Sequence, residues 1–142
     1  MDPKILIPYD DSSTAQATIK TIIKLKDRFS KHLTLLYVIN NDQLAYRMIP
    51  DFQVEMVKEN ATKAGNLLLD RTCKKLEESG FTCEPILEFG EPRSIIAHIA
   101  NSQDYQLVVI GRHEGGGEIR DVLFGSVANH VLHNVSCPVL LF

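Results

Sequence analysis

Sixteen residues near the C-terminus carry the densest set of groups suited to holding an anion: Gly111-Arg112-His113-Glu114-Gly115-Gly116-Gly117-Glu118-Ile119-Arg120-Asp121-Val122-Leu123-Phe124-Gly125-Ser126. Glycines let backbone N–H groups come close to a phosphate and take up positive φ. A helix opening at Gly125-Ser126 would present unpaired N–H groups and the positive end of its dipole, and the Ser126 hydroxyl is a further donor. The segment's own charges oppose a bare polyphosphate: Arg112 and Arg120 face Glu114, Glu118 and Asp121, one excess negative charge. A polyphosphate held there calls for Mg²⁺, or for carboxylates turned to solvent.

Other reactive side chains form weaker patterns. His130 and His133 lie three apart, a spacing able to hold a metal, but no third ligand is evident and they read as surface residues. His113 is either a phosphate contact or exposed, and His32 and His98 have no identifiable partner. Ser12 and Ser13 lack a nearby histidine, so they do not read as nucleophiles. Asp10-Asp11 would suit a phosphoacceptor centre, yet that chemistry needs an aspartate closing the third strand and a lysine after the fifth. Leu87-Glu88-Phe89-Gly90 and the end at Phe142 supply neither. Asp11 then reads as a charge at a helix N-terminus. Tyr9 is either a wall for a planar ligand or a packing residue.

The elements that must position these groups alternate. Ile5-Leu6-Ile7, ended by Pro8, reads as a strand buried on both faces. Ser13 with Gln16 has capping-box spacing, and Ala15, Ile19, Ile22, Ile23 and Phe29 line one helical face. Leu33 to Ile39 is a second buried strand, closed by Asn40-Asn41-Asp42. Residues 43 to 50 read as a mobile loop. A long helix follows with Val57, Ala61, Ala64, Leu68 and Leu76 on one face, stopped by Ser79-Gly80. Residues 81 to 89 form a third strand, and Pro85 within it demands a sheet edge. Gly90-Glu91-Pro92 opens a third helix with Ile95, Ile96, Ile99 and Ala100 inward. Leu107 to Ile110 is a central strand; the glycine-rich segment then leads to a fourth helix bearing Val127, Val131, Leu132 and Val135, and residues 137 to 142 form a last strand.

Strict alternation predicts an α/β fold: one doubly wound, five-stranded parallel sheet of order 3-2-1-4-5, with helices on both faces. The crossover direction reverses between strands one and four, so a ligand belongs in the crevice beyond their carboxyl ends, at Pro8 to Asp11 and from Gly111 onward. The last strand is an apolar edge without charge, which predicts a homodimer paired through it.

With 142 residues, 44% hydrophobic and 23% charged, the chain reads as one globular domain. A net charge of −3 leaves no footprint for nucleic acid or an anionic membrane. No apolar run reads as a signal peptide or a membrane span, so the expected location is cytoplasmic. Cys73, Cys83 and Cys137 match no zinc spacing and are odd in number; they read as buried, reduced thiols.

Along its whole length the chain resembles the universal stress proteins. The matching features, in order, are Ile7-Pro8-Tyr9-Asp10-Asp11-Ser12, Leu35-Leu36-Tyr37-Val38-Ile39, Gly90-Glu91-Pro92, Leu107-Val108-Val109-Ile110-Gly111, Gly125-Ser126 and Cys137-Pro138-Val139. Family members that bind ATP carry glycine, two residues, glycine, nine residues, then Gly-Ser or Gly-Thr. Here nine residues separate Gly115 from Gly125, but three separate Gly111 from Gly115, one more than the family pattern. The resemblance implies ATP as ligand. It assigns Asp10 to the ribose, Val38 and Ile110 to the adenine, Gly111 to the sugar region, and Gly115, Gly125, Ser126 and Val127 to the phosphates. It also implies a stress-response binding or signalling module, at most a slow ATPase. A dimerising relative that works through protein contacts without nucleotide is the alternative. An ATP pyrophosphatase relative would need a glycine directly after the first strand, which Asp10-Asp11-Ser12-Ser13-Thr14 lacks.

Overall fold

The computed structural model describes residues 3–10, 12–40, 50–111 and 126–142, and of Ser126 the backbone alone. Within these, β1 (Lys4–Pro8), α1 (Ser13–Lys24), β2 (His32–Ile39), α2 (Asp51–Glu78), β3 (Thr82–Phe89), α3 (Pro92–Ser102), β4 (Tyr105–Ile110), α4 (Ser126–Asn134) and β5 (Val139–Leu141) follow one another. The strands pair in parallel in the order β3-β2-β1-β4-β5, as the alternation predicts. Residues 41–49, Asp11 and the stretch 112–125 lie outside the described residues, and with them the expectations placed on the loop from 43, on His113 and on the charges around it.

Alternate side chains of the central strands feed two cores. Ile5, Ile7, Leu33, Leu35 and Val109 pack with Ile19 and Ile22 of α1 and Leu68, Leu69 and Leu76 of α2. Leu6, Leu36, Val38, Val108 and Ile110 pack with Ile96, Ile99 and Ala100 of α3 and Ala128 and Val131 of α4. One sheet face therefore carries α1 and α2, the other α3 and α4. That division is what places β1 and β4 at the point where the winding reverses.

Helix starts in the sequence are placed to within a residue or two, but α1 ends at Lys24, so Phe29, expected on its face, lies beyond it in extended backbone. Ser12, not Ser13, caps α1: its Oγ accepts from Ala15 N at 3.1 Å. The shift follows from Asp10, whose Oδ1 accepts from Ser12 N at 3.0 Å and holds the cap residue extended. Two expected core positions face outward instead. Ala64 is exposed while neighbouring Gly65 is buried, and Leu132 is 40% exposed while Ala128 and Val131 fill the core.

The end of α2 closes as Ser79-Gly80 predicts. Gly80 takes φ +101° and donates to the Glu77 carbonyl at 3.0 Å, while Phe81 N donates to the Leu76 carbonyl at 3.1 Å. This double closure is a Schellman motif, and Leu76 and Phe81 meet in the same core. It turns the chain straight from α2 into β3 and brings Cys73 and Cys83 together. Their Cα atoms lie 5.3 Å apart and the sulfurs are bonded. The expectation of reduced thiols is thus corrected for this pair. Spacing alone carried no signal because the Schellman turn, not a cysteine pattern, creates the contact. Cys137 is free and half-buried, and burial raises its thiol pKa.

Candidate functional site

Parallel strands deliver all their carboxyl ends to one rim, and there the molecule opens into a cleft of about 800 Å³. Pro8 ends β1. Having no N–H, it leaves the ladder to Tyr9, whose N donates to the Leu36 carbonyl at 2.8 Å. Tyr9 borders the cleft and at the same time packs in the α1/α2 core. Asp10 is exposed at the rim with its carboxylate fixed by the Ser12 N–H.

On either side of β1, the ends of β2 and β4 supply an apolar wall. Val38 and Ile110 are 9% and 7% exposed and line the cleft from the same face of the sheet. Gly111 follows at the end of β4. A Cβ there would lie 3.2 Å from the Thr14 carbonyl oxygen and closer still to the Thr14 and Thr18 side chains. Glycine is therefore demanded by the approach of α1, a reason independent of any ligand. Val127 and Ala128, in the first turn of α4, close the far side.

Of the nine residues singled out, the cleft brings together Pro8, Asp10, Val38, Ile110, Gly111 and Val127. Ser126 is described only as the first residue of α4, and Gly115 and Gly125 lie outside the described residues.

The sequence reading missed one wall: Glu91, Pro92 and Arg93 at the start of α3. Pro92 occupies the first helical turn, and Glu91 caps the helix by accepting from Ser94 N at 2.9 Å. Arg93 Nε donates to the other oxygen of Glu91 at 3.0 Å. The Ser94 N–H, then Arg93, draw the Glu91 carboxyl from 4.5 down to about 2. The signal was present, since the Gly90-Glu91-Pro92 turn marks the carboxyl end of β3, and in a parallel sheet that end shares the rim with the ends of β1 and β4. The cleft thus combines an apolar wall, two carboxylates and one guanidinium. Among the described residues, no group of three or more His, Cys, Asp or Glu side chains is placed to hold a metal.

A doubly wound α/β protein with an open cleft at its switch point is the class these features define. The family model for universal stress proteins matches residues 1–142, and the chain belongs to that family. Universal stress protein Sll1388 of Synechocystis is 31% identical over 97% of this chain and 96% of its own length. Universal stress protein MJ0577 of Methanocaldococcus jannaschii is 27% identical over 99% of this chain and 94% of its own. The solved structure of MJ0577 matches with a TM-score of 0.81 at 29% identity, covering 99% of this chain and 95% of that one. A universal stress family protein from Arabidopsis thaliana, solved with AMP bound, shares the fold at a TM-score of 0.69 and 18% identity, over 99% and 90% of the two chains. No helix among the described residues is long and apolar enough to cross a membrane.

Proposed function

We propose that this chain binds ATP in the switch-point cleft and serves as a cytoplasmic, homodimeric stress-response module that works by binding and signalling. The observation carrying this reading is the cleft itself, lined by Asp10, Val38 and Ile110 at the ends of three neighbouring strands. Its volume suits a mononucleotide. Val38 and Ile110 flank the adenine. Asp10 spends one oxygen on Ser12 N and keeps acceptor capacity for ribose hydroxyls. Pro8 and Gly111 border the sugar, and the phosphates lie toward Gly115, Gly125, Ser126 and Val127, at a helix start whose first N–H groups have no partner within the helix. AMP in the Arabidopsis fold relative supports an adenylate as a ligand this architecture accommodates.

Mg²⁺ travels with the phosphates in this reading. The described residues offer no cage of their own, and Mg²⁺ favours phosphate oxygens and water over all-protein sites. Turnover is slow at most. Phosphoryl transfer needs a group orienting the attacking water and a cation on the transferring phosphoryl. The charged side chains described at the cleft are Asp10, Glu91 and Arg93, and the last two are already bound to each other. Dimerisation uses the outer edge of β5.

Calorimetry on protein stripped of carried-over ligand, with ATP and AMP, each with and without Mg²⁺, tests the reading. Binding of ATP is expected, and Gly125→Val is expected to take it below detection with the far-UV spectrum unchanged. Binding of neither nucleotide would leave a dimeric protein that works through protein contacts alone. Unchanged affinity in Gly125→Val would remove the α4 entrance as the phosphate site.

A further inference from the structure

We propose that Cys73 and Cys83 are a reversible dithiol–disulfide pair, a covalent latch between α2 and the β3 edge that closes and opens by exchange with small disulfides and thiols. Three observations place the latch. Cys73 lies one turn before the Schellman closure of α2 and Cys83 is the second residue of β3, so the bond spans the turn that joins the two elements. Next, β3 is an edge strand, paired among the described strands only with β2, with Pro85 unable to donate; α2 is the helix packed on its inner face. The bond therefore fastens an edge strand to the helix that covers it. Finally, Cys137 belongs to the core on the opposite sheet face, so it neither competes for either sulfur nor resolves the bond.

Closure balances with a small disulfide, RSSR, as oxidant. The thiolate of one cysteine attacks a sulfur of RSSR, giving a mixed disulfide and releasing one RS⁻. The second cysteine's thiolate attacks the protein sulfur of that mixed disulfide and releases the other. Two electrons pass from the protein to the small disulfide, and the two cysteine protons end on two molecules of RSH. Opening by excess thiol is the reverse. Cys73 is 5% exposed and Cys83 8%, so exchange in either direction requires the β3 edge to lift and is slow under native conditions.

The bond closes a short loop, ten residues from one cysteine to the other. Constraining such a loop in the unfolded chain raises the melting temperature by roughly 5–10 °C for a chain of this size.

The test equilibrates the full-length protein in glutathione buffers of graded oxidised-to-reduced ratio, quenches with acid, and alkylates with iodoacetamide in denaturant. Mass spectrometry is expected to show one alkylated cysteine, Cys137, at the oxidising end and three at the reducing end. The melting temperature should fall with the same midpoint. Cys137→Ala should keep the transition, and the double variant Cys73→Ala/Cys83→Ala should lose it. Three alkylated cysteines at every ratio would overturn the pairing. A melting temperature indifferent to a demonstrated change in thiol count would overturn the latch. None of these outcomes depends on whether the cleft binds ATP.

Discussion

At one edge of the sheet β3 runs eight residues, with Glu84, Pro85 and Glu88 exposed. It is covered on its inner face by α2 and tied to that helix by the Schellman turn and a disulfide. At the other edge β5 runs three residues, Val139, Leu140 and Leu141, all apolar and half-buried, without a charge or an inward turn to discourage pairing. Charge and proline are the ordinary means of blunting an edge. Of the two edge strands, only β3 carries them within its own span. The difference teaches that one edge is finished by the chain's own residues while the other is left in the state that suits a second strand.

The largest expected effect comes from breaking the open edge. Phe142 N donates inward to the Ile110 carbonyl at 3.1 Å, and the Pro138 carbonyl accepts from Val108 N at 2.9 Å. Donors alternate along a strand, so the N–H of Leu141 points away from β4, where a partner strand would take it. Leu141→Pro removes that donor without touching a β4 hydrogen bond. The expected result is a monomer by light scattering with its far-UV spectrum kept. A dimer of unaltered affinity would show that pairing does not use this edge.

The next effect breaks the finished edge. Leu76 is fully buried where α2 turns into β3, under Phe81. Leu76→Ala should cost about 3 kcal/mol in urea unfolding, the usual transfer-plus-cavity cost of such a truncation, and leave the oligomeric state unchanged. A loss under about 1 kcal/mol would mean that the α2–β3 junction collapses onto the gap and that its packing is not what secures the edge.

These edges also show what was legible in the chain. Pro85 placed β3 at an edge because a missing donor has only one remedy, and Ser79-Gly80 placed the end of α2 because positive φ favours glycine. Asp10 was legible as a cleft residue from strand order, since topology fixes where parallel strands end, while Val38 and Ile110 came from the family resemblance. The Cys73–Cys83 bond was not, because it depends on where a turn delivers two side chains and not on their spacing. Ala64 against Gly65 was lost for a similar reason. A Cβ at Gly65 would stand 2.9 Å from Leu87 Cδ1, so the face that packs closest on the sheet is marked by the residue with no side chain, which hydrophobic periodicity does not count. The α3 wall of the cleft was missed because its Glu91-Pro92 signal was read only as a helix start.

The smallest effect sharpens the contrast through α3, the connection that carries the chain from the β3 edge back to β4. Its cap, Glu91, has its carboxyl drawn from 4.5 down to about 2 by the Ser94 N–H and Arg93. A carboxylate with a lower pKa folded than unfolded stabilises the fold above the unfolded value, here 4.5, and that contribution drains away as pH falls toward 2. Both Glu91 and Arg93 are nearly half exposed, so solvent screening reduces the contribution to about 0.5–1 kcal/mol. Glu91→Gln keeps an acceptor for Ser94 N and drops the charge. Its stability deficit against the parent should be present at pH 7, narrow below pH 4.5, and nearly vanish close to pH 2. Urea unfolding of both proteins across that range measures the gap. A deficit that stays constant down to pH 2.5 would assign it to lost shape at the cap instead of lost charge, and α3 would then be held at the rim by core packing such as that of Ile96, Ile99 and Ala100 and not by the cap charge.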